Sequence, residues 1–274
     1  MLETIASGYG LLEGPRVDDA GNLYFSDVTN GGVYCRAPGG EIATVVPRRR
    51  GVGGIALHAD GGVVISGKNV CHVKDGTTRI LFQRDDIPGF NDLFTDSQGR
   101  VLVGALRSDP FALKSQVPGE LWRIEAEDTV VEMYGDVGIT NGIGFSPDNS
   151  KIYHSDSAPR HIILHDVSAD GRMSNRRVFA TTPGVPDGLA VDEDGCVWVA
   201  VYEGGCALRY TPDGMEDRRI EVPAKAVTSL CFGGSDRRDL YIVTADNTEV
   251  PERKGTIFQT RVEVPGVVVT PARI

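Results

Sequence analysis

The chain has 274 residues, 41% of them hydrophobic, which is long enough to bury a sizeable core. It carries 28 basic against 38 acidic side chains, a net charge of -10, which speaks against nucleic acid and anionic membrane surfaces as partners. No apolar run approaches the ~20 residues of a membrane span, and the five cysteines show no Cys-x-x-Cys spacing. They read as reduced thiols. Residues 1–5 show no basic segment followed by a long apolar run, so the expectation is a cytoplasmic protein.

In chain order, one phrase recurs six times: a short apolar strand, a Gly-rich or Asp-Gly turn, then a second apolar strand. The first copy starts at Glu13-Gly14-Pro15 and continues through Leu23-Tyr24-Phe25. The second starts at Gly53-Gly54-Ile55, just after the run Arg48-Arg49-Arg50. The third starts at Asn91-Asp92-Leu93, and a longer loop with two prolines follows over residues 106–120. It reads as an ordered loop over one face. The fourth starts at Asn141-Gly142-Ile143, the fifth at Asp187-Gly188-Leu189 and the sixth at Thr228-Ser229-Leu230. No segment shows helix caps.

A repeat of roughly 38 to 50 residues with about four short strands each predicts propeller blades. The expected fold is therefore all-β: one domain over residues 1–274, a six-bladed β-propeller of four-stranded antiparallel blades around a central channel. Residues 4–12 are expected to pair with the last blade and close the ring, which removes free edges. A β-sandwich or a two-domain chain is the alternative, but the period runs end to end without a linker.

At the entrance of four inner strands stand Glu13, Asn91, Asn141 and Asp187. Blades arranged around an axis bring these four to one end of the channel. Taken singly, Asn or Asp before Gly is a common turn former. Two carboxylates and two amides at one phase of a repeat make an all-oxygen set suited to a divalent cation. Ca²⁺ suits it best, then Mn²⁺ or Mg²⁺, with Zn²⁺ lacking its preferred ligands.

The motifs Glu13-Gly14-Pro15, Phe90-Asn91-Asp92, Ser174-Asn175-Arg176-Arg177, Pro186-Asp187-Gly188 with Trp198-Val199-Ala200, and Cys231-Phe232-Gly233-Gly234 resemble the senescence marker protein (regucalcin)/gluconolactonase family over essentially the whole chain. That resemblance implies a six-bladed, metal-dependent lactonase. It implies Glu13, Asn141 and Asp187 as direct metal ligands, with Asn91 as a fourth ligand or a substrate and water contact. Asp187 would double as general base. No Gly-x-Ser-x-Gly nucleophile motif occurs.

The chain departs from the resemblance where sugar would be read. Gly89 stands where regucalcin-like members carry Arg, Val17 where a Trp is frequent, and Arg107-Ser108-Asp109 where acidic residues open the long loop. The expected substrate is therefore a lactone other than an ordinary aldonolactone, one bearing a carboxylate. Arg50 or Arg107 would clamp that group. Asp156 and Tyr202 are further candidate substrate contacts at the channel mouth. His154, Trp122 and Trp198 read as packing residues, and His161 and His165 as surface ones. Two other readings use the same ligands: a phosphotriesterase-like hydrolase, or a non-enzymatic calcium-binding propeller. The protein is expected to be a monomer or weak homo-oligomer.

Overall fold

Apolar runs broken by tight turns fold as antiparallel meanders in the computed structural model, which describes residues 1–110, 117–126 and 129–274. Gly195 and Gly214, at φ 77° and 79°, close two Asp-Gly turns that need the left-handed conformation. The first strand, β1 (Glu3–Tyr9), stands apart from the first meander. Blade one is β2 (Leu12–Val17), β3 (Leu23–Asp27), β4 (Gly32–Arg36) and β5 (Ile42–Pro47). Blade two is β6 (Ile55–Leu57), β7 (Val63–Ile65), β8 (Val70–Lys74) and β9 (Thr77–Phe82). Blade three is β10 (Gly89–Thr95), β11 (Val101–Leu106), β12 (Gly119–Ile124) and β13 (Val130–Val137). Blade four is β14 (Thr140–Phe145), β15 (Lys151–Asp156), β16 (His161–Val167) and β17 (Met173–Thr181). Blade five is β18 (Val185–Val191), β19 (Val197–Tyr202), β20 (Cys206–Tyr210) and β21 (Glu216–Glu221).

Blade six has β22 (Val227–Gly233), β23 (Asp239–Thr244) and β24 (Gly255–Arg261), and its fourth strand is β1. Glu3 pairs with Gln259 and Thr4 with Phe258, so chain start and chain end share one sheet and the ring closes. The expected six-bladed propeller and its N-terminal closure are both present. Among the described residues there is no α-helix, and no helix is long and apolar enough to cross a membrane. The loop expected over 106–120 includes residues 111–116, which lie outside the described residues.

The core lies between blades, not on the axis. Each sheet buries both faces, and six apolar clusters fill the six interfaces. Leu12, Phe25, Val243 and Ile257 join blades one and six, and Phe94, Leu121, Ile143 and Ile152 join blades three and four. Trp122 packs between blades two and three and Trp198 between five and six, as expected of packing residues. Because apolar contact is satisfied at the interfaces, the axis is left to small and polar side chains. All five cysteines are free thiols.

The segment after β24 crosses the channel end opposite the strand entrances. Val267 N donates to Val191 O at 3.0 Å, and Ala272 N donates to Leu57 O at 2.7 Å.

Candidate active site

The four candidate ligands sit where the inner strands leave ideal pairing. Phe90 pairs with Ala105 and Leu93 with Val103, so Asn91 and Asp92 oppose one residue. Thr140 pairs with Asp156 and Ile143 with His154, leaving Asn141 and Gly142 opposite one. Pro186 and Leu189 flank Asp187 and Gly188 in the same way. In blade one the slip follows Glu13, between it and Arg16. Two residues against one is a β-bulge, which takes a side chain out of the ladder and re-aims it. The repeated bulge turns these side chains toward the axis.

All four line one open cavity of about 780 Å³ at the strand-entrance end of the channel. Glu13 and Asp187 are each only 6% exposed. Burial raises the pKa of both carboxyls well above the ordinary range; Asp187 adds to the rise at Glu13, and Asp92 adds to it at both. The two amides are tethered by their nitrogens. Asn91 Nδ2 donates to Thr140 O at 2.8 Å, and Asn141 Nδ2 donates to Ser157 Oγ at 3.3 Å. That leaves their oxygens as acceptors. Asp187 Oδ1 is buried without a hydrogen-bond partner among the described residues. A buried acceptor-only oxygen among raised carboxyls is costly, and a hard cation removes that cost. The donor set therefore fits a divalent ion. Among the described residues, no three His, Cys, Asp or Glu side chains cluster as a metal site. The fit rests on two carboxylates together with two amides.

The other two blades supply no candidate ligand at this position, for visible reasons. Gly53 of blade two lacks a side chain, and a Cβ there would stand 2.2 Å from Asn91 Oδ1. Thr228 of blade six donates its hydroxyl to Leu12 O at 2.6 Å, which binds blade six to blade one.

Of the expected substrate contacts, Arg50, Asn91 and Tyr202 line the cavity. Arg50 is exposed and has no ion-pair partner among the described residues. Arg107 and Asp156 are not on its wall, which corrects their placement at the mouth. The Arg107 guanidinium is held by Glu120 at 2.8 Å and Asp86 at 3.0 Å. Asp156 is 3% exposed and accepts from Ile139 N at 3.1 Å behind the wall. His165 is also not a surface residue: it is 4% exposed and stacks on Tyr134 with ring centroids 4.2 Å apart.

Three residues were not foreseen. Lys68 is a second exposed basic residue on the cavity wall. Asp92, 2% exposed, brings a third carboxyl close to the axis, raised by burial to about 6. Arg16 Nη2 stands 3.7 Å from Asp92 Oδ1 and 2.9 Å from Leu93 O, so a buried cation lies beneath the carboxyls. A signal for Asp92 existed. The residue after the ligand is Gly in blades one, four and five, and only blade three has a side chain there. A second cavity of about 500 Å³ opens at the other end of the channel, lined by Arg16 and residues 267–271 but by none of the four ligands.

A family description, the SMP-30/Gluconolactonase/LRE-like region, matches residues 11–246 and so spans all four candidate ligands. The chain belongs to this family. Within this SMP-30/gluconolactonase/LRE-like group, the pentonolactonase XacC of Haloferax volcanii is 33% identical over 234 residues, covering 83% of this chain and 78% of that protein. The 6-deoxy-6-sulfogluconolactonase of Pseudomonas putida is 33% identical over 263 residues, covering 89% and 88%. Among solved structures, a luciferin-regenerating enzyme superposes with a TM-score of 0.90 at 24% identity, covering 100% of this chain and 99% of that one. That likeness shows the shared fold.

Proposed function

We propose that this SMP-30/gluconolactonase/LRE-like protein is a divalent-cation-dependent lactonase, with Ca²⁺ the best-suited ion and Mn²⁺, Mg²⁺ or Zn²⁺ its competitors. The observation that carries the reading is the buried Asp187 Oδ1, which has no hydrogen-bond partner among the described residues, in a ring of oxygen donors at the base of an open cavity. Its pentonolactonase and sulfogluconolactonase relatives, each 33% identical, support cyclic esters as the substrate class. Glu13, Asn91, Asn141 and Asp187 would hold the ion. When bound, it supplies Lewis-acid chemistry, drawing electron density from a carbonyl oxygen.

The remaining steps belong to the chain's own side chains. Asp187, kept ionised, takes a proton from the water that attacks the lactone carbon. The ring C–O bond breaks, and the departing oxygen takes back the proton held on Asp187, which leaves a hydroxy acid and an ionised Asp187. Tyr202 and Asn91 border the space where the ring sits. Arg50, exposed on the wall and without an ion-pair partner among the described residues, clamps an anionic substituent. The substrate is thus a lactone carrying a carboxylate, and the sulfonated substrate named for the Pseudomonas putida relative is consistent with an anionic group.

A lactone panel run after chelation and cation add-back tests this. Activity should vanish on chelation and return with Ca²⁺ or Mn²⁺. Protons compete for Glu13 and Asp187, whose carboxyls are raised by burial. The cation concentration for half-maximal activity should therefore fall as pH rises from about 5 to about 8. Arg50→Ala should raise KM about fivefold for acid-bearing lactones and leave neutral ones unchanged. Undiminished turnover in chelator contradicts the metal reading. Faster hydrolysis of phosphotriesters than of any lactone contradicts the substrate class, and no turnover of any ester contradicts the enzyme.

A further inference from the structure

We infer that Tyr134, His154 and Thr140 form a positioning network that sets the direction of the two amide ligands. The inference rests on the cation reading above. Thr140 is its hub. The Thr140 carbonyl accepts from Asn91 Nδ2 at 2.8 Å, which leaves Asn91 Oδ1 for the axis. The next residue in the chain is Asn141. The Thr140 side chain is pinned from behind. Its Oγ1 lies 2.6 Å from His154 Nε2, and Tyr134 OH lies 2.8 Å from His154 Nδ1.

Thr140 and His154 are both fully buried, at 0% exposure. Burial keeps the imidazole neutral. A neutral ring offers one N–H and one lone pair, so it donates to one hydroxyl and accepts from the other. The result is directional, and it fixes the Thr140 rotamer. The fold makes room for it: a Cβ on Gly104 would lie 1.8 Å from Thr140 Oγ1. Tyr134 is held in turn by His165, stacked at 4.2 Å, and by Arg176, 5.6 Å from its ring centre.

Tyr134 belongs to blade three and His154 and Thr140 to blade four. These are the blades that supply Asn91 and Asn141. Apolar packing already joins them through Phe94, Leu121, Ile143 and Ile152. A buried polar chain adds little attraction to such an interface, because its desolvation offsets most of its hydrogen bonding. Directionality is what it adds, and the groups it directs are ligands.

The test is calorimetric titration of the intact chain with whichever of Ca²⁺, Mn²⁺ or Zn²⁺ the unmutated protein binds, with Tm measured on the cation-free forms. Thr140→Val and Tyr134→Phe should each weaken cation binding roughly 10- to 100-fold, the usual effect of removing a group that orients a ligand. Thr140→Ser, which keeps the hydroxyl, should bind as the unmutated protein does. A loss of Tm with unchanged cation affinity in both variants shows a packing contact only and overturns the inference. Equal weakening in Thr140→Ser and Thr140→Val overturns it too, since the hydroxyl would then be irrelevant. If the unmutated protein binds none of these ions, the cation reading falls and takes the network with it.

Discussion

Asp187→Asn is expected to lower kcat/KM for lactone hydrolysis on the order of 10³-fold, the combined loss of a general base and a charged ligand. The same change should raise the Tm of the cation-free protein. These opposite signs share one origin. Without a cation, Asp187 is a buried carboxyl whose Oδ1 has no partner among the described residues and whose pKa is raised by burial and by Asp92. An amide of the same size removes that unfavourable charge without changing the volume packed at the hub. The rise should be greatest at neutral pH and shrink on acidification, because a group with a raised folded pKa destabilises as pH rises through it. The extra Tm that added Ca²⁺ gives the unmutated protein should be lost in the variant. Thermal melts with and without Ca²⁺, alongside the lactone assay, check all three. A variant that is active, or less stable without cation, contradicts the assignment.

The second large effect is steric. In Gly142→Ala the new methyl would stand 2.3 Å from Leu189 N and 2.6 Å from Asp187 O. Both are backbone atoms of blade five, so no rotamer change gives relief. The variant should lose about 3 kcal/mol, roughly 10 °C in Tm, an overpacking penalty at the upper end. It should also lose most activity, since the same push separates Asn141 from Asp187. Gly144→Ala on the same strand is the comparison. Its methyl would meet Leu189 Cδ1 at 2.7 Å, a side-chain tip that can turn aside. About 1 kcal/mol and near-normal activity are expected there. Similar melts for the two variants would contradict this account of the crowded axis.

The ring was legible because its signal is periodic. Glycine follows three of the four candidate ligands, since inner strands approach too closely for a Cβ, as at Gly142 and Gly188. That spacing exposes the phase at which Glu13, Asn91, Asn141 and Asp187 share a cavity. What a repeat does not encode is the reach of a long side chain. Arg107 starts near the mouth, but Asp86 and Glu120 draw its guanidinium aside. Asp156 ends a strand near the cavity, but Ile139 N captures it. His165 follows the alternation of an outer strand, yet Tyr134 of the neighbouring blade covers it. Each of these depends on a partner from another strand or blade, and the order of residues along one strand carries no trace of it. The bulges were likewise invisible as bulges, though they explain why an entrance residue points at the axis.

The propeller thus places chemistry by subtraction. Apolar burial is completed between blades, and the hub keeps the carboxyls and amides that apolar packing would otherwise exclude. At the hub, Arg16 beneath Asp92 balances one of the three carboxyls Glu13, Asp92 and Asp187, which leaves two negative charges for the proposed divalent ion.

Anomalous diffraction from crystals grown in Mn²⁺ is the most direct measurement of this arrangement. A single strong peak on the propeller axis, about 2.2 Å from oxygens of Glu13, Asn91, Asn141 and Asp187, is the predicted result. A hub without a peak at saturating Mn²⁺, with those four side chains turned away from one another, would contradict it.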